Sequence, residues 1–121
     1  MTIQRQGLGC RGEELACAFL REKGYLILNR NYRTKTAELD IVAREGEYLV
    51  FVEVKSRSSN EFGSPFEAIT RRKQSKMILA AQEYLARERP ASRAARFDVV
   101  SVLFERGKPV IDHLENAFEL S

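Results

Sequence analysis

The chain has 121 residues, 44% of them hydrophobic and 31% charged, a balance that excludes intrinsic disorder and fits one domain, residues 1–121, around one core. No apolar run approaches the roughly 20 residues of a membrane span, and the N-terminus lacks the apolar centre of a signal peptide, so a cytoplasmic protein is expected. The net charge is only +3, but the bases cluster at Arg30, Arg33 and Lys35, at Lys55 and Arg57, at Arg71, Arg72, Lys73 and Lys76, and from Arg87 to Arg96; such patches suit phosphate backbones, although lysine and arginine also simply solvate surfaces.

From Arg11 to Lys23, apolar Leu15, Ala16, Phe19 and Leu20 recur at helical spacing, and Gly24 supplies a stop. Just ahead, Gly7-Leu-Gly-Cys-Arg-Gly12 spells GxGxxG. Only six residues precede it, too few for the strand that a dinucleotide site requires, so these glycines read as a flexible lead-in. Cys10 and Cys17 lie seven apart on this helix, too far to bridge, and are expected as free thiols. Strands are expected over Tyr25–Tyr32, Ala37–Arg44 and Glu47–Arg57, the last two joined by a tight Glu45-Gly46 turn. After a loop, Pro65 opens a helical region that ends before Pro90 and falls into two pieces, with Thr70 capping the second. Arg96–Glu105 reads as a fourth strand, and Arg106-Gly-Lys-Pro109 turns into a short fifth, Val110–Glu115. The order predicts an α/β sandwich with a mixed sheet.

The charges on the second and third strands interrupt otherwise apolar runs. Side chains alternate along a strand, so Glu53 and Lys55 share a face while Val50, Val52 and Val54 take the other. A two-residue Glu45-Gly46 loop would set Arg44 opposite Glu47, Asp40 opposite Phe51 and Glu38 opposite Glu53. Glu38, Asp40, Glu53 and Lys55 then share one face with Val42, Leu49 and Phe51, and Leu39 and Ile41 join the valines behind. A structural Glu–Lys pair fits this pattern. So does a site for a hard divalent cation, which prefers oxygen ligands. Lys73 stands on the seam of Ile69, Met77 and Ala80, where it either snorkels to water or turns its ammonium into the cleft. Asp98 reads as a structural acceptor near the sheet edge, and His113 as a satisfied surface or edge-strand residue.

An acid on one strand followed by E-x-K on the next, here Asp40 and Glu53-Val54-Lys55, resembles the PD-D/ExK nuclease signature. Together with GEELACAFLREKGY, AELDIVAREGEYLVFVEVKSR, FGSPFEAI, RFDVVSV and ENAF, it resembles the YraN-like family of small bacterial endonuclease-like proteins over nearly the whole chain. The resemblance implies a restriction-endonuclease-like αβββαβ core, a mixed central sheet flanked by helices, with one extra C-terminal strand. It further implies Asp40 and Glu53 as ligands of Mg²⁺ or Mn²⁺, aided by the Val54 carbonyl and by Glu13, and Lys55 as the group that orients the attacking water. Arg71, Arg72, Lys73 and Lys76 would hold a nucleic-acid backbone, DNA rather than RNA, in a structured or branched form. The family usually has glycine where this chain has Ala37. Nucleases that cut junctions work as dimers, and that analogy leaves room for a homodimer. Two other functions fit: a nucleic-acid-binding module that keeps the fold without cutting, and an interaction protein whose acidic cleft holds only salt bridges.

Overall fold

A computed structural model describes residues 2–58, 69–91, 94–105 and 108–119. Helix α1 (Thr2–Glu22) precedes strands β1 (Leu26–Arg33), β2 (Glu38–Glu45) and β3 (Tyr48–Ser58). Helix α2 (Arg71–Glu88) then leads to β4 (Ala95–Phe104) and β5 (Pro109–Phe118). The strands form one sheet in the order β1-β2-β3-β4-β5. Only β3 and β4 pair in parallel, and α2 lies in the connection between them. This is the expected α/β order with β5 as the added strand, and it is compatible with a restriction-endonuclease-like core.

Each sheet face buries one apolar cluster. Ala16, Cys17 and Leu20 of α1 pack on Ile41, Ala43, Val50, Val52, Val100 and Val102. Met77, Ala80, Ala81 and Tyr84 of α2 pack with Leu39, Val42, Leu49, Phe51 and Phe97. The alternation of β3 dictates this split, with even-numbered valines toward α1 and Leu49 and Phe51 toward α2. Cys10 and Cys17 are both free thiols.

The glycine-rich start is not a lead-in but part of α1, whose backbone is helical from Thr2. Glycine costs a helix about 1 kcal/mol relative to alanine, and at Gly12 its small size has a use: a Cβ there would overlap the Ser56 hydroxyl. The helix therefore lies directly against β3 beside Lys55. Helix α1 ends where expected, with Gly24 at φ +94°. Thr70 caps α2 as expected, its side chain accepting from the Lys73 amide. The earlier helical piece, opening at Pro65, and the Arg106-Gly107 part of the last turn lie outside the described residues. Strand β5 is longer than expected, running to Phe118 past a register irregularity between Phe97 and Val99.

The β2–β3 turn differs from expectation in an informative way. The loop is Gly46-Glu47, with Gly46 at φ +62° in the first loop position, where a two-residue hairpin favours glycine. Glu45 therefore faces Tyr48, and Val42, not Asp40, faces Phe51. The register moves by two residues. Because side chains repeat every two residues, the faces survive the shift while every partner changes. Leu39 departs from this alternation and joins the α2 cluster, at the end of β2 that pairs with β1 but not with β3.

Candidate functional site

The β2–β3 ladder stops at Ile41↔Val52. Beyond it β2 stays paired with β1 as far as Glu38, and β3 stays paired with β4 as far as Ser58. A notch therefore opens in the sheet where one further step of the register brings Asp40 level with Glu53. In place of a ladder bond, the Val54 amide donates to Asp40 Oδ2 at 2.9 Å. Glu53, two residues beyond Phe51 on the face toward α2, is buried at 6% exposure. Lys73, in the first turn of α2, reaches down to it, with Nζ 3.3 Å from Glu53 Oε2. Of the two orientations open to Lys73, the inward one is adopted.

Burial pushes the Asp40 carboxyl up to about 8, and the negative charges of Glu53 and Glu13 add to the effect against the Val54 hydrogen bond. Glu13, on α1, is partly buried and also raised, first by desolvation; its hydrogen bond to the Asn31 side chain and the charge of Arg30 pull the other way. Asn31 makes that bond from a left-handed backbone, φ 52°, in β1. Asp40 and Glu53 thus meet in the notch. Glu13 stands near enough to be felt electrostatically, yet among the described residues no group of three or more His, Cys, Asp or Glu is placed to hold a metal ion. Lys55 follows Glu53 on the same face, level with Ser101 of β4 and partly buried. Arg71, Arg72 and Lys76 are exposed on the first turns of α2, and the first turn of that helix carries no acid of its own. The positive end of the helix dipole adds to their charge.

The donor set suits a particular kind of ion. Mg²⁺ commonly binds through one or two carboxylates and keeps several waters, so two acids in an oxygen-lined notch fit it without a third.

A second polar cluster lies on the α1 face, around Asp98, which is fully buried. Asp98 accepts from Arg96 Nε and Nη2 at 3.0 Å each and from the Asn116 amide at 3.0 Å. His113 Nε2 is 2.7 Å away, and its Nδ1 is 2.8 Å from Lys23 Nζ. An ammonium can only donate, so Nδ1 accepts and Nε2–H donates to Asp98. Burial would raise Asp98, but these donors outweigh it and hold the carboxyl below its ordinary range. Arg96 also bridges to Glu45 at 2.9 Å and lies over the Tyr25 and Tyr48 rings. The sequence marks Asp98 as an acceptor, but not His113 as its donor. The signal was the histidine's place in an otherwise alternating strand; its buried side chain depends on Phe19 and Tyr25, which are remote in sequence. A cavity of about 430 Å³ lined by Tyr48, Arg96, Phe97, Asn116 and Phe118 borders this cluster rather than the notch.

No helix among the described residues is long and apolar enough to cross a membrane. The model of the Uncharacterised protein family UPF0102 matches residues 12–102, a span that includes every candidate residue from Glu13 to Lys76. A UPF0102 protein of Geobacter metallireducens is 46% identical over 121 residues, 100% of this chain and 99% of the relative. Others from Syntrophomonas wolfei, 50% identical over 92% of this chain and 96% of the relative, and Anaeromyxobacter dehalogenans, 45% identical over 95% and 86%, are similar throughout. The chain belongs to the UPF0102 family, the YraN-like proteins that its motifs resemble.

Proposed function

We propose that the protein is a metal-dependent endonuclease that hydrolyses nucleic-acid phosphodiester bonds, preferring structured or branched DNA. The observation that carries this reading is the meeting of Asp40 and Glu53 in the β2–β3 notch, with Lys73 over Glu53 and Lys55 two residues along the same face. Asp40 and Glu53 would hold the Mg²⁺ or Mn²⁺ ion, which when bound supplies Lewis-acid polarisation of a phosphoryl oxygen. Lys55 positions the attacking water and offsets the charge that develops on the phosphate during attack. Arg71, Arg72 and Lys76, at the electropositive start of α2, hold the backbone on either side without reading bases. A cytoplasmic location and a homodimer, which would place two such notches on two strands, go with this reading.

One observation favours a second reading, a nucleic-acid-binding module that keeps the fold without cutting: the Lys73 ammonium stands on the Glu53 oxygen that an ion would need. A single experiment separates the two. Labelled linear, single-stranded and four-way-junction DNA are incubated with the protein in Mg²⁺, Mn²⁺ or EDTA, beside Glu53→Ala and Lys55→Ala. The nuclease reading predicts metal-dependent cleavage that falls by at least about a hundredfold in each variant, the scale on which single groups stabilising a transition state act. Binding without cleavage in every lane would support the module, and cleavage undiminished in Glu53→Ala would remove the assigned site.

A further inference from the structure

Two properties of the ion pair over the notch differ sharply between its members. The Glu53 side chain is 8% exposed, whereas that of Lys73 is 36% exposed. The carboxylate is sealed into β3, between Val52 and Val54, and cannot follow its partner outward. The ammonium can leave. Lys73 has its main chain fixed by the Thr70 cap, which accepts from its amide at 3.1 Å, but its charge sits at the end of a flexible four-carbon stem. A buried carboxylate with no partner is strongly unfavourable, so it either pairs with a cation or takes up a proton. In this arrangement Glu53 pairs with Lys73, whose ammonium stands on an oxygen that a divalent ion would need.

We propose that Lys73 is the resident counter-cation of the notch: it neutralises Glu53 until a divalent ion displaces its ammonium, and the freed ammonium then takes a backbone phosphate at the cleft mouth. This inference rests on the reading of Asp40 and Glu53 as a divalent-cation site, and it adds an order of events. The lysine and the ion compete for one carboxylate, so Lys73 weakens ion binding to the free protein. Once displaced, Lys73 lies beside Arg72 and Lys76 on α2, so an ion in the notch strengthens binding of a phosphate backbone. By linkage, the backbone strengthens binding of the ion by the same factor.

The test is a titration of Mn²⁺, followed by electron paramagnetic resonance, into the full chain without nucleic acid. It compares the wild type with Lys73→Met, Lys73→Arg and Glu53→Gln. Lys73→Met keeps the length of the stem and removes the charge. It is expected to bind Mn²⁺ about tenfold more tightly, the order for removing one contacting charge from a partly screened site. Lys73→Arg keeps the charge and is expected to stay within about twofold of the wild type, which separates a charge effect from a packing effect. In parallel, Ca²⁺ is expected to tighten binding of a DNA duplex to the wild type, and to do so less in Lys73→Met. Equal or weaker Mn²⁺ binding by Lys73→Met, with binding still lost in Glu53→Gln, would overturn the counter-cation role and leave the metal site standing. Failure of all four proteins to bind Mn²⁺ would overturn both, and that pattern is distinct.

Discussion

The Asp40 carboxyl is half-buried and that of Asp98 fully buried, and their surroundings drive them in opposite directions. Around Asp40 burial dominates, the charges of Glu53 and Glu13 repel, and one amide donates, so its proton is held up to about 8. Around Asp98 burial is outweighed by the donors His113, Arg96 and the Asn116 amide. The consequences for stability have opposite signs. The folded protein holds the Asp40 proton more tightly than the unfolded chain does. Its contribution therefore stands intact below the ordinary value of 3.8 and erodes as the pH rises toward about 8. In EDTA, urea unfolding from pH 5 to 8.5 is expected to show stability falling more steeply in the wild type than in Asp40→Asn; parallel profiles would contradict this. Asp98 behaves conversely, its contribution being complete above 3.8 and lost as the pH falls through its lower folded value. Asp98→Ala at pH 7 is expected to cost about 3–5 kcal/mol by chemical denaturation, because Arg96 and His113 lose the charge they surround. At this scale the sequence speaks through residue type alone. A carboxylate inside an apolar strand announces a role, but whether donors or other acids surround it depends on strands that the sequence does not place.

The elements carry their own tests. Gly12 sits in a helix that would otherwise gain about 1 kcal/mol from alanine, yet its missing side chain is what lets α1 lie against Ser56. Gly12→Ala is expected to destabilise by about 1–3 kcal/mol, the cost of overpacking. Ser56→Gly in the same chain should recover much of that loss, and a stabilised Gly12→Ala would refute the close approach. Thr70→Ala should cost about 1 kcal/mol through loss of the α2 cap, read from the urea midpoint. The elements themselves were largely legible, because Leu15, Phe19 and Leu20 mark helical spacing and the valines of β3 mark a strand. Where the reading stopped short, the cause lay in tertiary contact. The glycines before α1 look like a breaker until the close strand beneath Gly12 is known. Local chemistry admits either Glu45-Gly46 or Gly46-Glu47 as the turn, and the expected hairpin differs from the observed one by that one residue. That difference in the loop changes who faces whom, which is why Asp40 comes level with Glu53 instead of Phe51.

At the scale of the whole molecule, the notch is a product of topology. Strand β2 belongs to an antiparallel meander with β1 and β3, while β3 must also continue in parallel with β4 to Ser58. The two pairings part after Ile41 and Val52, so Asp40 and Glu53 line a gap instead of an ordinary rung. The two helices reach that gap from opposite faces, with Glu13 from α1 and Lys73 from α2. No local pattern in the sequence encodes such a parting; the resemblance of Asp40 and Glu53-Val54-Lys55 to a nuclease signature supplied the expectation that the acids converge. The nuclease reading requires these acids to share one ion. Crystals of the full chain grown with MnCl₂, measured for anomalous scattering from manganese, test this most directly. A peak is expected within coordinating distance of both Asp40 and Glu53, absent from Glu53→Gln. A peak only elsewhere, or none in the wild type at millimolar Mn²⁺, would contradict it.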